Sequence, residues 1–239
     1  MIIFDKRKKY ILTIDVETAG EIDNPVCYDV GYAITDKSGK VYFKRHYVVH
    51  EVFNLMPELM ESAYYAWKIP LYKERIKSGE IRVKRFIDIY YEIREIMGRV
   101  GVNTVAAYNC HFDRNALNNT LRIVTFNNYR WFFPYKTNFI CIWHMACQVI
   151  CTQKTYLRWA ARMGLESAKG NISTSAETVY KYLSGENGFV EEHMGLDDVL
   201  IEAEIMARCF RQHKKMKQTI NRLCWRIPQK AYREVKAVY

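Results

Sequence analysis

A chain of 239 residues, 49% of them hydrophobic, can build one substantial core, which excludes a disordered protein and argues against two full domains. Seven cysteines (27, 110, 141, 147, 151, 209 and 224) in no regular spacing exclude a disulfide framework and fit free thiols in a reducing compartment. No stretch is apolar enough to span a bilayer and Met1–Lys9 lacks the apolar run of a signal peptide, so a cytoplasmic protein with no membrane partner is expected.

In chain order, a basic run from Lys6 to Lys9 leads into Tyr10–Glu17, which reads as a strand. Tyr28–Thr35 and Val41–Val49 read as two more, and the turn sequence Asp36-Lys37-Ser38-Gly39 between them predicts an antiparallel hairpin. Met56–Gly101 reads mostly as helix, interrupted near Pro70 and Gly79. Thr104–Tyr108 is a short apolar strand, Phe112–Val124 a helix and Phe139–Trp143 a fifth strand. Helical patterns follow at 144–151, 155–163, 175–183 and 195–212. The pattern predicts an α/β protein with a mixed sheet flanked by helices.

The net charge of +10 is unevenly placed. Arg211–Tyr239 holds nine Lys or Arg and one Glu, so +8, whereas the other 210 residues hold 27 basic and 25 acidic side chains. This divides the chain into a near-neutral domain, 1–212, and a basic extension, 213–239, and points to a polyanionic partner. Cys141, His144, Cys147 and Cys151 have spacings that a zinc site could use, but their apolar surroundings favour core thiols.

Carboxylates carry the chemistry. On a strand, Asp15 and Glu17 point to one face with Ile11 and Thr13. Two acids side by side raise each other's pKa unless a cation lies between them, and magnesium or manganese suits oxygen ligands. Such a pair is also common on exposed strand ends. Asp113 opens the helix after the fourth strand and tends toward the apolar side formed by Ala116, Leu117 and Leu121. His193 precedes a helix whose stripe is Leu196, Val199, Leu200, Ala203, Ala207 and Phe210, and its pKa range suits a general base. Asp197 and Asp198 both lie off that stripe, so periodicity leaves the choice between them open.

Three segments, DVETAG (15–20), AYNCHFDRNAL (107–117) and HMGLDDV (193–199), resemble the exonuclease motifs of the DEDDh family of 3′→5′ exonucleases, in its proofreading and ribonuclease T versions. They stand in the family's order over about 185 residues. The family pattern H-x-A-L-x-D-A selects Asp198 over Asp197, with Gly195 and Val199 in place of its alanines; Tyr108 stands where many members have histidine. The resemblance implies a ribonuclease H-like fold with a five-stranded mixed sheet. It further implies two Mg²⁺ or Mn²⁺ ions per site held by Asp15, Glu17, Asp113 and Asp198, with His193 as general base. The substrate would be single-stranded DNA or RNA, released as 5′-mononucleotides, with Thr18 and Asn109 beside it and the aromatic cluster Tyr64, Tyr65 and Trp67 stacking on terminal bases. A second cluster, Trp131, Phe132, Phe133 and Tyr135, fits core packing better. A homodimer, or a polymerase or replication partner, is in keeping with the family. The alternative is a nucleic-acid-binding or polymerase-associated module with little catalysis, but such a module should have lost a ligand and all five positions are filled.

Overall fold

Alternating branched residues build the first strand, β1 (Ile11–Ala19), whose two faces enter different cores. The computed structural model describes residues 4, 5 and 7–236; Met1 to Ile3, Lys6 of the basic run and the last three residues of the basic extension, Ala237 to Tyr239, lie outside them. β2 (Val26–Thr35) pairs antiparallel with β1 and is buried at all ten positions, as expected of a strand covered on both faces. The turn to β3 (Val41–Val49) uses Asp36, whose Oδ1 accepts the Ser38 N–H at 2.8 Å, and Gly39 at φ 84°, where a side chain would be strained.

Helices α1 (His50–Leu55), α2 (Pro57–Glu61) and α3 (Ile69–Lys77) follow, with a short 3-10 turn at Ala66–Lys68. Next come β4 (Arg82–Lys84), α4 (Phe86–Val100), β5 (Thr104–Ala107), α5 (Cys110–Thr125) and β6 (Asn138–Cys141). The chain continues through α6 (Ile142–Val149), α7 (Lys154–Arg162), α8 (Ala176–Ser184), α9 (Gly195–Arg211) and α10 (Arg226–Lys236).

The sheet order is β4-β3-β2-β1-β5-β6. β1, β2 and β3 are antiparallel neighbours, and β4, β5 and β6 add in parallel. The expected mixed α/β sheet is therefore present, with six strands rather than five. The extra strand is β4, three residues inside the stretch read as helix, and its identity comes from pairing with Tyr47–Val49 rather than from a pattern of its own. Ile142 and Trp143, expected at the end of the fifth strand, instead begin α6.

One face of β1, with Leu12, Ile14 and Val16, packs in a core with Phe86, Ile89 and Ile93 of α4 and Leu117 and Leu121 of α5. The second core joins Ile11, Ala106 and Ile140 to α6, α7, α9 and Tyr232 of α10. Helix α9 lies across β1 and β2. It approaches so closely that a β-carbon on Gly31 would fall 2.0 Å from the Gly195 carbonyl carbon.

The C-terminal stretch lies against the sheet and helices. The Gln218 carbonyl accepts the Cys141 N–H at 2.8 Å, and the Thr219 carbonyl is 2.6 Å from His144 Nδ1. Gln229 bonds both the N–H and the C=O of Ile172, at 2.8 and 3.1 Å. Cys147 and Cys151, in and just after α6, and Cys224 are all buried thiols. Among the described residues no helix is long and apolar enough to cross a membrane.

Candidate active site

Asp15 and Glu17 stand on the β1 face that α9 covers. β1 is irregular here, its register with β2 shifting between Glu17 and Thr18. Asp113, in the first turn of α5, is buried, and backbone N–H groups, its own and that of Val16, lie close enough to hold its pKa down.

The third segment is positioned by an aspartate that the sequence did not single out. Asp29 of β2 is fully buried. Its Oδ2 accepts the Gly195 N–H at 3.2 Å and the Tyr72 hydroxyl at 2.5 Å, and its Oδ1 lies 2.7 Å from His46 Nε2. The start of α9 is fixed over the sheet in this way, and Asp198 turns inward while Asp197 turns out to Arg75 Nη1 at 3.4 Å.

Asp15, Glu17, Asp113, His193 and Asp198 all line one cleft of about 460 Å³. Ligand atoms of Glu17, His193 and Asp198 lie within 4.8 Å of one another. Their electrostatics are unfavourable as they stand. Burial, then Asp113 and Glu17, push the Asp15 carboxyl well above the usual range. Burial and Asp198 push Glu17 up to about 9, and Lys68 partly offsets them. Burial and Asp15 push Asp198 up to about 10. Asp113 rises only to about 7, because its two backbone bonds oppose burial. Among the described residues, Asp198 Oδ1 and Glu202 Oε2 are buried and have no hydrogen-bond partner. Clustered buried carboxylates with orphaned oxygens need a cation, and a donor set of carboxylate oxygens fits a hard divalent ion such as Mg²⁺ or Mn²⁺.

His193 adopts φ 48°, an uncommon conformation for a residue with a β-carbon. Its ring stacks on Tyr65, with centroids 4.4 Å apart and planes 16° from parallel. Burial lowers its pKa and the nearby Lys68 lowers it further, which favours the neutral imidazole. Glu191 Oε2 lies 3.7 Å from Nδ1.

Of the residues expected to meet substrate, Tyr65 and Asn109 line the cleft. Thr18, just past the irregularity in β1, is not part of its lining, and Tyr64 and Trp67 stand beside it at 86% and 73% exposure. In the second aromatic cluster Phe132 and Phe133 are core residues, whereas Trp131 and Tyr135 are exposed. Glu191 and Glu202, which line the cleft, and Lys68, whose charge acts on Glu17 from beside it, are residues that pattern alone missed. Lys68 sits in a 3-10 turn far from the motifs and donates to the Glu192 carbonyl. Glu191 sits in a loop, and Glu202 offered one signal, an acid one turn after Asp198 on an otherwise apolar helix face. Tyr108, in the place of a family histidine, is buried and donates its hydroxyl to the Thr174 carbonyl at 2.6 Å, closing that side of the cleft.

Among solved structures this architecture is similar to exonuclease I of E. coli. A complex with a dA16 oligonucleotide aligns over 85% of the chain with a TM-score of 0.54 at 13% identity. The zinc-bound complex with single-stranded DNA aligns over 87% at 0.52 and 12%, and a third structure of exonuclease I aligns over 85% at 0.51 and 12%. The fold is ribonuclease H-like, a mixed sheet flanked by helices. The chain spans 41–43% of the length of those neighbours. No family model matches the chain, and no curated protein matches it by sequence.

Proposed function

We propose that this chain is a divalent-metal-dependent 3′→5′ exonuclease that hydrolyses single-stranded nucleic-acid ends to 5′-mononucleotides. One observation carries the reading: four carboxylates and a histidine from three distant segments meet in a single cleft, with a buried carboxylate oxygen left without a partner. The structural neighbours support it, since exonuclease I is described in complex with single-stranded DNA.

Asp15, Glu17, Asp113 and Asp198 would hold the metal, two ions in this reading. When bound, divalent ions stabilise the negative charge that builds on the attacking and leaving oxygens of an in-line displacement. His193 takes the proton of the attacking water. Burial and Lys68 favour the neutral form it needs, and Glu191 beside Nδ1 leaves Nε2 as the accepting atom. The stack on Tyr65 fixes the plane of the imidazole. Asn109 and Tyr65 bound the space for the terminal nucleotide. The basic extension, 213–239, meets the phosphates of the strand behind it.

The test is a 5′-labelled single strand of DNA or RNA incubated with Mg²⁺ or Mn²⁺. The expected result is a shortening ladder, abolished by chelator and by a blocked 3′ end. His193→Ala should keep metal binding and lose on the order of 10²–10⁴ in rate. Cleavage of circular single strands, or full activity in chelator, would overturn the assignment.

A further inference from the structure

Glu202 follows Asp198 by four residues on α9, so the two share a helix face. It is 3% exposed, lines the same cleft, and keeps Oε2 without a partner among the described residues. The cleft lining contains six carboxylates (Asp15, Glu17, Asp113, Glu191, Asp198 and Glu202) and no Lys or Arg. Ile201 and Ala203 on either side are buried, so the position is one that an aliphatic residue would fill at no electrostatic cost.

A buried acid without a basic partner has two stable forms. It can stay protonated, in which case its O–H requires an acceptor, or it can bind a cation. The unpartnered Oε2 speaks against the first. Asp15, Asp113 and Asp198 line the same cleft, so theirs are the carboxylates that can share a cation with Glu202.

We propose that Glu202 is a ligand of a divalent cation bound in this cleft, which makes this a five-carboxylate centre rather than the four-carboxylate one implied by the motifs. The inference rests on the nuclease reading for the identity of the ion but adds a residue that lies outside all three motifs.

Mn²⁺ binding to the full chain without nucleic acid tests it, read by loss of the free-ion electron paramagnetic resonance signal and by calorimetry. The parent should bind two ions. In Glu202→Gln one of them should bind at least about tenfold more weakly, since even an outer partner of a metal ligand is worth roughly 10–100-fold in affinity. The other ion should be unaffected, as should both ions in Glu204→Gln, a half-buried neighbour that pairs with Arg208 outside the cleft. Glu202→Leu, which suits a buried helical site, should give the same loss and decides the matter if the Gln variant folds poorly. The metal-free melting temperature should not fall in the Leu variant. Isotherms of both variants superimposing on that of the parent would overturn the inference and leave the nuclease reading intact. Two-ion binding sensitive to Glu202 in a protein that shortens no nucleic acid would overturn the nuclease reading instead. A parent that binds no Mn²⁺ would overturn both.

Discussion

Adjacent acids at 197 and 198 have opposite environments: one pairs with Arg75 at the surface, the other is buried among carboxylates. No periodicity separates them, because the first turn of α9 is held by Asp29 on a distant strand and not by its own stripe. The same holds for Lys68 and Glu191, whose loop and turn positions give no face to read. Asp15, Glu17 and Asp113 were legible because a strand repeat and a helix start assign side-chain direction locally. The raised pKa values give a prediction for the metal-free chain. Glu17, Asp113 and Asp198 titrate at about 9, 7 and 10 when folded, and an unfolded carboxyl titrates near about 4. Between those values the folded state binds more protons than the unfolded one, so stability is highest at acidic pH and falls as pH rises. In chelator, the melting temperature should drop from about pH 5 to about pH 9, and Asp198→Asn should reduce the slope. Saturating Mg²⁺ should remove or reverse the trend, because the cation takes the place of the protons. A level metal-free profile across that window would show that the carboxylates are not crowded.

Between elements, α9 crosses β2 at backbone contact, with Gly195 over Gly31. A glycine within a helix usually costs up to about 1 kcal/mol relative to alanine, so Gly195→Ala would normally stabilise. Here a β-carbon at 195 would lie 2.6 Å from the Gly31 nitrogen and 3.1 Å from the Asp15 carbonyl oxygen. The helix must lift, and the sign reverses: a loss of about 1–3 kcal/mol is expected in denaturant melts. The lift also carries Asp198 away from Glu17, so half-saturation with Mg²⁺ should need more metal. An alanine variant as stable and as metal-avid as the parent would sink this account. The motif comparison shows glycine where the family has alanine, but the reason lies on β2, and only the structure brings Gly31 opposite. At the same scale, the hairpin of β2 and β3 could be read from Asp36–Gly39, since a turn is local chemistry. β4 could not, because an edge strand of three residues, two of them basic, has no apolar alternation to show.

Over the whole molecule, charge and packing of the C-terminal stretch pull in different experimental directions. The stretch carries most of the net +10, yet Cys224, Gln229 and Tyr232 are buried in it. Deletion from residue 213 onward should therefore lower the melting temperature and confuse any binding result. Replacing the exposed Lys214, Lys215 and Lys217 with Gln separates the two roles. If these lysines meet phosphates of a bound strand, each contact adds about 0.7 to the slope of log affinity against log salt, so the triple variant should flatten it by roughly 2. Its melting temperature should match that of the parent. An unchanged salt slope for long single strands would remove the lysines from the binding surface. The charge imbalance was plain in the sequence. That the same residues also complete a core was not, because the buried positions 224, 229 and 232 find their partners on α6, α7 and the loop before α8.

The spacing of the cleft residues along the chain governs when the centre can exist. Asp15 and Asp198 are 183 positions apart (198 − 15), and Asp29 holds the α9 start over a similar span. A growing polypeptide exposes β1 and β2 long before α9 leaves the ribosome, and until then their shared face has no cover. Contacts of such separation form late and slowly. Any chemistry that needs the carboxylates of β1 and of α9 together is therefore silent until residue 198 has emerged and folded back onto the sheet.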